Sequence, residues 1–190
     1  MSSMESCEQL DPRIRRTRLM LQQALDKLLE TKEFDHISVN DITEQATVNR
    51  ATFYDHYGDK FALLQCLVGT RFNEMMAERK LEFDGTCGTA LQNIALTTCE
   101  YLARLQGPNG ARQVAPHMES AMIAVLRRMF LEGLKLHPPK SGVSPEMVAA
   151  TASWAIYGAA KEWLESPDRV APQSVALTMT LLVAPLLHVA

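Results

Sequence analysis

Apolar residues recur at intervals of three and four along nearly the whole chain, and stretches in which apolar and polar residues alternate are rare. This pattern predicts helices throughout and gives little sign of strands. The first helix is expected from about Arg15 to Thr31, with Leu21, Ala24, Leu25, Leu28 and Leu29 in one stripe. Phe34 and Ile37 lie in the link that follows and can close over that stripe. Ser38 then reads as a helix N-cap, and Asp41 completes a capping-box-like pair with Asp in place of Glu. The helix it opens is short, with Ile42 and Ala46 on one face. Thr47 and Val48 make a tight turn, and Asn49 is a second N-cap, opening a helix at Arg50 that ends before Gly58. A longer helix starts at Phe61 and carries Leu63, Leu64, Leu67, Val68, Phe72 and Met75 toward Leu81.

Gly85 and Gly88 mark a break. Further helices are expected over Thr89 to Leu105, His117 to Leu136, Pro145 to Ser166 and Pro172 to Leu187, the last kinked or frayed at Pro185. A turn over Gly107, Pro108, Asn109 and Gly110 and a Pro-rich loop from His137 to Gly142 separate them. The fold class expected is all-α: an N-terminal three-helix helix-turn-helix domain, then a helical bundle. The boundaries expected are a disordered tail over 1–12, a helix-turn-helix domain over 13–60 and a helical domain over 61–190, whose functions are read from the motifs below.

The segment from Ser38 to Lys60 is the most informative. It places two short helices around a tight turn, with Ile42, Ala46, Val48 and Phe53 where the two must pack and Arg50, Ala51, Thr52 and Tyr54 near the start of the second. That end of such a motif enters the major groove, and its free N–H groups favour nearby phosphates. The run Asp41-Ile42, Ala46, Val48-Asn49-Arg50, Thr52-Phe53-Tyr54, His56-Tyr57, Lys60 and Leu63-Leu64 resembles the TetR (AcrR-type) family of bacterial transcriptional regulators. By motif the resemblance covers roughly Arg15 to Val68. It implies DNA contacts at Tyr54, His56 and Lys60, with Lys60 on a phosphate. It also implies a base-reading role for Arg50, Ala51 and Thr52, and a groove-facing Asn40. Chemically, Arg50 suits a bidentate bond to guanine, and Ala51 or Tyr54 a thymine methyl. Thr52 and Asn49 suit phosphate or capping roles.

Three positions depart from the family pattern, the slightest being Tyr57, which replaces the commoner Phe. Thr47 stands where the family often has Gly, and a positive φ is costly for Thr, so the turn is expected to differ slightly. Asp55 puts an acid where phosphate would repel it, unless it pairs with a neighbouring base or accepts from a cytosine amine. Arg13, Arg15, Arg16 and Arg18, four positive charges in six residues, read as an N-terminal arm for phosphates or a minor groove, with Arg16 the candidate contact.

Composition narrows the function without naming it. The chain has 190 residues, 47% hydrophobic and 22% charged, with a formal net charge of −3. That is globular composition, and it argues against an indiscriminate nucleic-acid binder. Between Arg13 and Lys60 eight basic residues meet eight acidic ones, so the segment expected to read DNA is balanced and its charge is sorted by position. Cys7, Cys66, Cys87 and Cys99 form no Cys-x-x-Cys pair or zinc-finger spacing, so free thiols in a cytoplasmic protein are the default, with no metal and no cofactor. No nucleophile–base arrangement or phosphate loop stands out, which argues against an enzyme.

In the second half, Met118, Met122 and Met129 lie at helical spacing. Core filling is their plainer reading. A soft pocket for an apolar effector is the functional one, with Cys99, Met118, Met122, Trp154 and Tyr157 as candidate lining residues. From Val170 to Ala190 no residue carries a formal charge, but prolines and polar residues interrupt the run and argue against a membrane span. A helix apolar nearly all round must be covered, and a second copy of the chain is the natural cover. The resemblance implies the same four-helix dimer interface, made from the last two helices of each subunit. The function expected is a homodimeric repressor released from a palindromic operator by a small-molecule effector. The alternative is an effector-independent helix-turn-helix regulator or adaptor acting through protein partners.

Overall fold

The computed structural model describes residues 11–79, 87–105, 116–138 and 142–187. Among these residues there are eight α-helices and no strand: α1 (Pro12–Leu29), α2 (Val39–Ala46), α3 (Arg50–His56), α4 (Lys60–Ala77), α5 (Gly88–Leu105), α6 (Pro116–Leu136), α7 (Pro145–Glu165) and α8 (Pro172–Leu187). A single 3₁₀ turn, Phe34–His36, lies between α1 and α2. The expected tail before residue 11, the break at Gly85 and the turn at Gly107 to Gly110 lie outside the described residues, as does the middle of the Pro-rich loop.

Two compact units divide the chain, Met1–Leu67 and Val68–Ala190. The first is built around α1, which packs on α2 and α3. Leu21 and Leu25 of α1, Phe34 and Ile37 of the link, Ile42 of α2, Phe53 of α3 and Leu63 and Leu64 of α4 are all fully or almost fully buried. Each such side chain contributes about 1.5–3 kcal/mol on burial, so this small unit depends on nearly all of them. The link does close over the α1 stripe as its sequence predicts.

One expectation changes at the start of the chain. The arginines after Asp11 are not an extended arm. Asp11 accepts from the Arg13 amide at 2.8 Å and Pro12 opens α1, so Arg13, Arg15, Arg16 and Arg18 all stand on its first turns. The N-cap and the proline, which sits in the first turn without losing a hydrogen bond, carry the helix further upstream than periodicity alone suggests.

In the second unit α5 packs on α7 and α8, α7 also packs on α6, and α7 packs on α8. Leu91 and Ile94 of α5, Leu126 and Phe130 of α6, Ile156 of α7 and Ala176 of α8 are fully buried. Ser144 caps α7 by accepting from the Met147 amide, with Pro145 at the first helical position. The last helix continues through Pro185 to Leu187. Pro185 lies near enough to the end that few residues follow it in the helix. No helix among the described residues is long and apolar enough to cross a membrane.

Candidate nucleic-acid interface

The helix-turn-helix is held by short-range devices that the sequence spells out. Ser38 accepts from the Asp41 amide at 3.1 Å, while the Asp41 carboxylate accepts from the Ser38 amide at 2.8 Å and from its hydroxyl. This is a complete capping box. Lys32 adds an ion pair to Asp41 at 2.9 Å, and together the Ser38 hydroxyl and Lys32 hold the Asp41 carboxyl well below the usual carboxylate range. At the other end, Thr47 adopts φ 56 and ψ 44, the left-handed region. The turn therefore keeps the geometry that suits glycine, with threonine in it, rather than relaxing to a different one. The Thr47 and Val48 amides still reach the last carbonyls of α2 at 3.1 and 3.0 Å, and keeping those bonds requires the positive φ.

Asn49 opens α3 by accepting from the Thr52 amide at 2.7 Å. Its carbonyl oxygen is thus engaged as a cap, one of the two roles its chemistry suggests. Phe53 is completely buried, and this fixes which side of α3 faces outward. Arg50, Ala51, Tyr54 and Asp55 are exposed, at the spacing of one helical face, while Thr52 and His56 are half-buried. Within the face, the Arg50 guanidinium lies 5.8 Å from the Tyr54 ring centroid and donates to its hydroxyl at 3.2 Å. Asn40 is exposed on α2 and donates to Glu44 at 2.7 Å. Arg16 is exposed on α1.

Three features lie beyond what local sequence shows. Arg18 stacks over the Tyr57 ring at 5.4 Å, and its Nε is buried without a hydrogen-bond partner. Burial and the nearby Arg18 charge push the His56 pKa down. Gln22 donates to the Tyr57 hydroxyl at 3.4 Å and to the Cys66 sulfur at 3.3 Å, forming a buried polar cluster that links α1, the end of α3 and α4. Lys60, expected on a phosphate, instead donates to the carbonyls of Phe34, Asp35 and Ile37 at 3.0, 3.2 and 2.7 Å.

The candidate effector residues separate on inspection. Cys99, Met122 and Tyr157 are buried and Met118 is half-buried, but Trp154 is 56% exposed and faces away from the core. The expectation that Trp154 lines an interior pocket is corrected by its place on the outward side of α7. The reason is that the inner face of α7 is already filled by Ala152, Ser153, Ile156 and Tyr157. Burial pushes the Cys99 thiol up to about 12, so it stays protonated and unreactive. Thr97 of α5 was not singled out by its sequence context, yet its buried hydroxyl has no hydrogen-bond partner among the described residues. No group of three His, Cys, Asp or Glu side chains among those residues is placed to hold a metal ion.

Residues 23–67 match the family described as bacterial regulatory proteins, tetR family. Over 65 residues the chain is 46% identical to an uncharacterized HTH-type transcriptional regulator, YxbF, of Bacillus subtilis (strain 168). That match covers 34% of this chain and 17% of the relative, so the chain matches less than a fifth of that relative's length. In fold, the chain resembles a TetR transcriptional regulator from Streptococcus agalactiae 2603V, with TM-score 0.53, 21% identity and coverage of 90% and 95% of the two chains. It also resembles Thermus thermophilus FadR, a TetR-family transcriptional repressor solved with lauroyl-CoA, with TM-score 0.56, 20% identity and coverage of 87% and 92%. The motif, the capped helix-turn-helix and these likenesses agree: residues 23–67 match the tetR family of bacterial regulatory proteins, and the chain shares the fold of solved TetR-family regulators.

Proposed function

We propose that the protein is a homodimeric repressor that binds a palindromic operator and leaves it when a small molecule occupies the second unit. The exposed face of α3 carries the reading. Arg50, Ala51 and Tyr54 point outward from a helix whose cap and buried side are satisfied within the chain. Arg50 offers the fork that guanine accepts, and Ala51 and the Tyr54 ring offer apolar contact for a thymine methyl. Asn40, Thr52, His56 and Arg16 are the flanking contacts, and Asn49 acts through the cap.

The dimer reading rests on α7 and α8. Both turn uncharged residues outward: Met147, Trp154 and Gly158 on α7, with exposed glutamates toward its ends, and Leu177, Leu181, Leu182 and Leu186 on α8. Leu181 and Leu182 are 69% and 70% exposed. A second copy related by two-fold symmetry covers such a face and supplies a second recognition helix, and two-fold symmetry in the protein asks for it in the operator.

The effector reading rests on the interior of the second unit, where the described residues include no buried charge and the buried polar side chains are Thr97, Thr98 and Ser153. Thr98 and Ser153 donate to carbonyls of their own helices, leaving the Thr97 and Tyr157 hydroxyls without a hydrogen-bond partner among the described residues. An effector whose buried part is apolar and uncharged, with acceptors for these hydroxyls, fits that interior. Met118 and Met122 supply the adaptable wall, beside Cys99 and Tyr157. Release requires that the effector favour a state whose two recognition helices are wrongly spaced for the operator.

The test is a gel shift with the DNA upstream of the protein's own gene, against a scrambled competitor at moderate salt. Retention of the upstream fragment alone supports the reading, and equal retention of both contradicts it.

A further inference from the structure

We propose that Lys60 is a positioning residue that closes the helix-turn-helix at its base, not a phosphate contact. The inference rests on the DNA-binding reading above and sharpens it at one residue. The Lys60 ammonium has three N–H donors, and three carbonyls receive them: Phe34 at 3.0 Å, Asp35 at 3.2 Å and Ile37 at 2.7 Å. The ammonium also sits 4.7 Å from the Phe34 ring centroid and 5.7 Å from that of Phe61. No donor of this arrangement is left for a phosphate.

The position of these bonds in the chain gives them their effect. Ile37 immediately precedes the Ser38 cap of α2, and Lys60 follows shortly after the end of α3. The Lys60–Ile37 bond therefore joins the two ends of the segment that holds α2, the turn and α3. Both ends are themselves fixed: Ile37 is almost fully buried, and Asp59 caps the first turn of α4 by accepting from the Ala62 amide at 2.7 Å. A cation at the start of a helix opposes the helix dipole. At Lys60 the ring of carbonyls offsets that, since it supplies the negative ends of three peptide dipoles. The clamp holds the entry to α2 and the exit from α3 in one place, and so sets the angle at which α3 is presented.

The two roles differ in what they predict for salt. Losing a phosphate contact lowers the slope of log affinity against log salt by about 0.9. Losing a clamp lowers affinity and leaves that slope unchanged. Lys60→Met keeps the stem and removes the ammonium. Lys60→Arg keeps the charge, and arginine serves a phosphate well, but its planar fork cannot direct three donors onto three converging carbonyls.

The experiment measures both variants against a duplex that the unaltered chain enriches from a random-sequence pool, over a range of salt. It is paired with hydrogen exchange of the amides from Val39 to His56 in the free protein. Exchange at least tenfold faster and affinity at least tenfold weaker, with the salt slope unchanged in both variants, is the expected result. A slope reduced by about 0.9 in Lys60→Met, full affinity in either variant, or unaltered exchange overturns the clamp. If Lys60→Met does not fold, Lys60→Arg decides the matter by the same readings. If the unaltered chain enriches no duplex, the DNA-binding reading fails first and the positioning role with it. Unaltered exchange beside intact DNA binding removes the clamp alone.

Discussion

Arg50 and Tyr54 stand one turn apart on the exposed face of α3, the guanidinium over the ring and its Nη2 donating to the hydroxyl at 3.2 Å. The contact holds the long arginine side chain in one orientation before DNA arrives, which reduces the ordering that binding would otherwise require. Arg50→Ala is expected to weaken binding to the preferred site by about 1–3 kcal/mol and to relax the sequence requirement at one base pair. Tyr54→Phe removes the hydroxyl and keeps the ring, so it should weaken binding less while lowering the benefit that Arg50 brings. A double-mutant cycle on a panel of single-base operator variants checks both, and full additivity of the two changes would remove the coupling.

Thr47 holds a left-handed conformation, φ 56, that a β-branched residue adopts reluctantly. Thr47→Gly relieves that strain, which is about 1–2 kcal/mol, and glycine gives back part of the gain through its freer unfolded chain. The expected net effect is a stabilisation of up to about 1 kcal/mol, read as a higher denaturant midpoint with an unchanged slope. A loss of stability would mean that the Thr47 side chain contributes more than its backbone conformation costs.

His56 has its pKa lowered in the folded chain by burial first and the Arg18 charge second. The unfolded chain therefore binds its proton more readily, so the contribution to stability is present above the unfolded value of about 6.5 and is lost as pH falls through it. His56→Gln should lessen the fall in stability between neutral pH and mildly acidic pH. DNA acts in the opposite direction. A phosphate beside His56 favours the charged ring, so affinity should rise as pH is lowered over the same range, and the glutamine variant should flatten that rise. Identical pH profiles for the two proteins would take His56 off the interface.

Gly158 lies in the middle of α7 on its exposed side, and a Cβ built there meets nothing within 4 Å. Glycine in a helix interior is worth about 0.5–1 kcal/mol less than alanine, and nothing in the described part of the chain compensates for it. Close approach of a second copy, in the dimer proposed above, would. Gly158→Arg should leave helix content intact and shift the protein from dimer to monomer in sedimentation, and Trp154→Asp should do the same. A dimer that survives both changes lies elsewhere on the surface.

The devices that proved legible in the sequence are local ones. The caps at Ser38, Asn49 and Ser144 each act over three residues, so residue type and spacing are enough to find them. Phe53 and Ile42 could be placed in the core from helical period alone. The Lys60 clamp could not, because its acceptors are backbone carbonyls 23 to 26 positions away, and carbonyls leave no mark in a sequence. Trp154 was misplaced for a related reason. A helix apolar on most sides gives no polar face from which to tell inside from outside, and only the packing of α7 on α5, α6 and α8 decides it. Thr47 shows the reverse: its cost was legible, but the sequence did not say that the turn would bear it.

The central claim is that a symmetric pair of α3 helices reads a specific DNA sequence. Selection from a pool of random duplexes at moderate salt, with the bound species then weighed, tests it most directly. The account predicts enriched sequences that are inverted repeats, with half-site centres one or more helical turns apart, bound by protomers in pairs, and lost from the enriched set when Arg50→Ala replaces the unaltered chain. A pool that returns without sequence preference, or a preferred site with no repeat bound by one protomer, would contradict it.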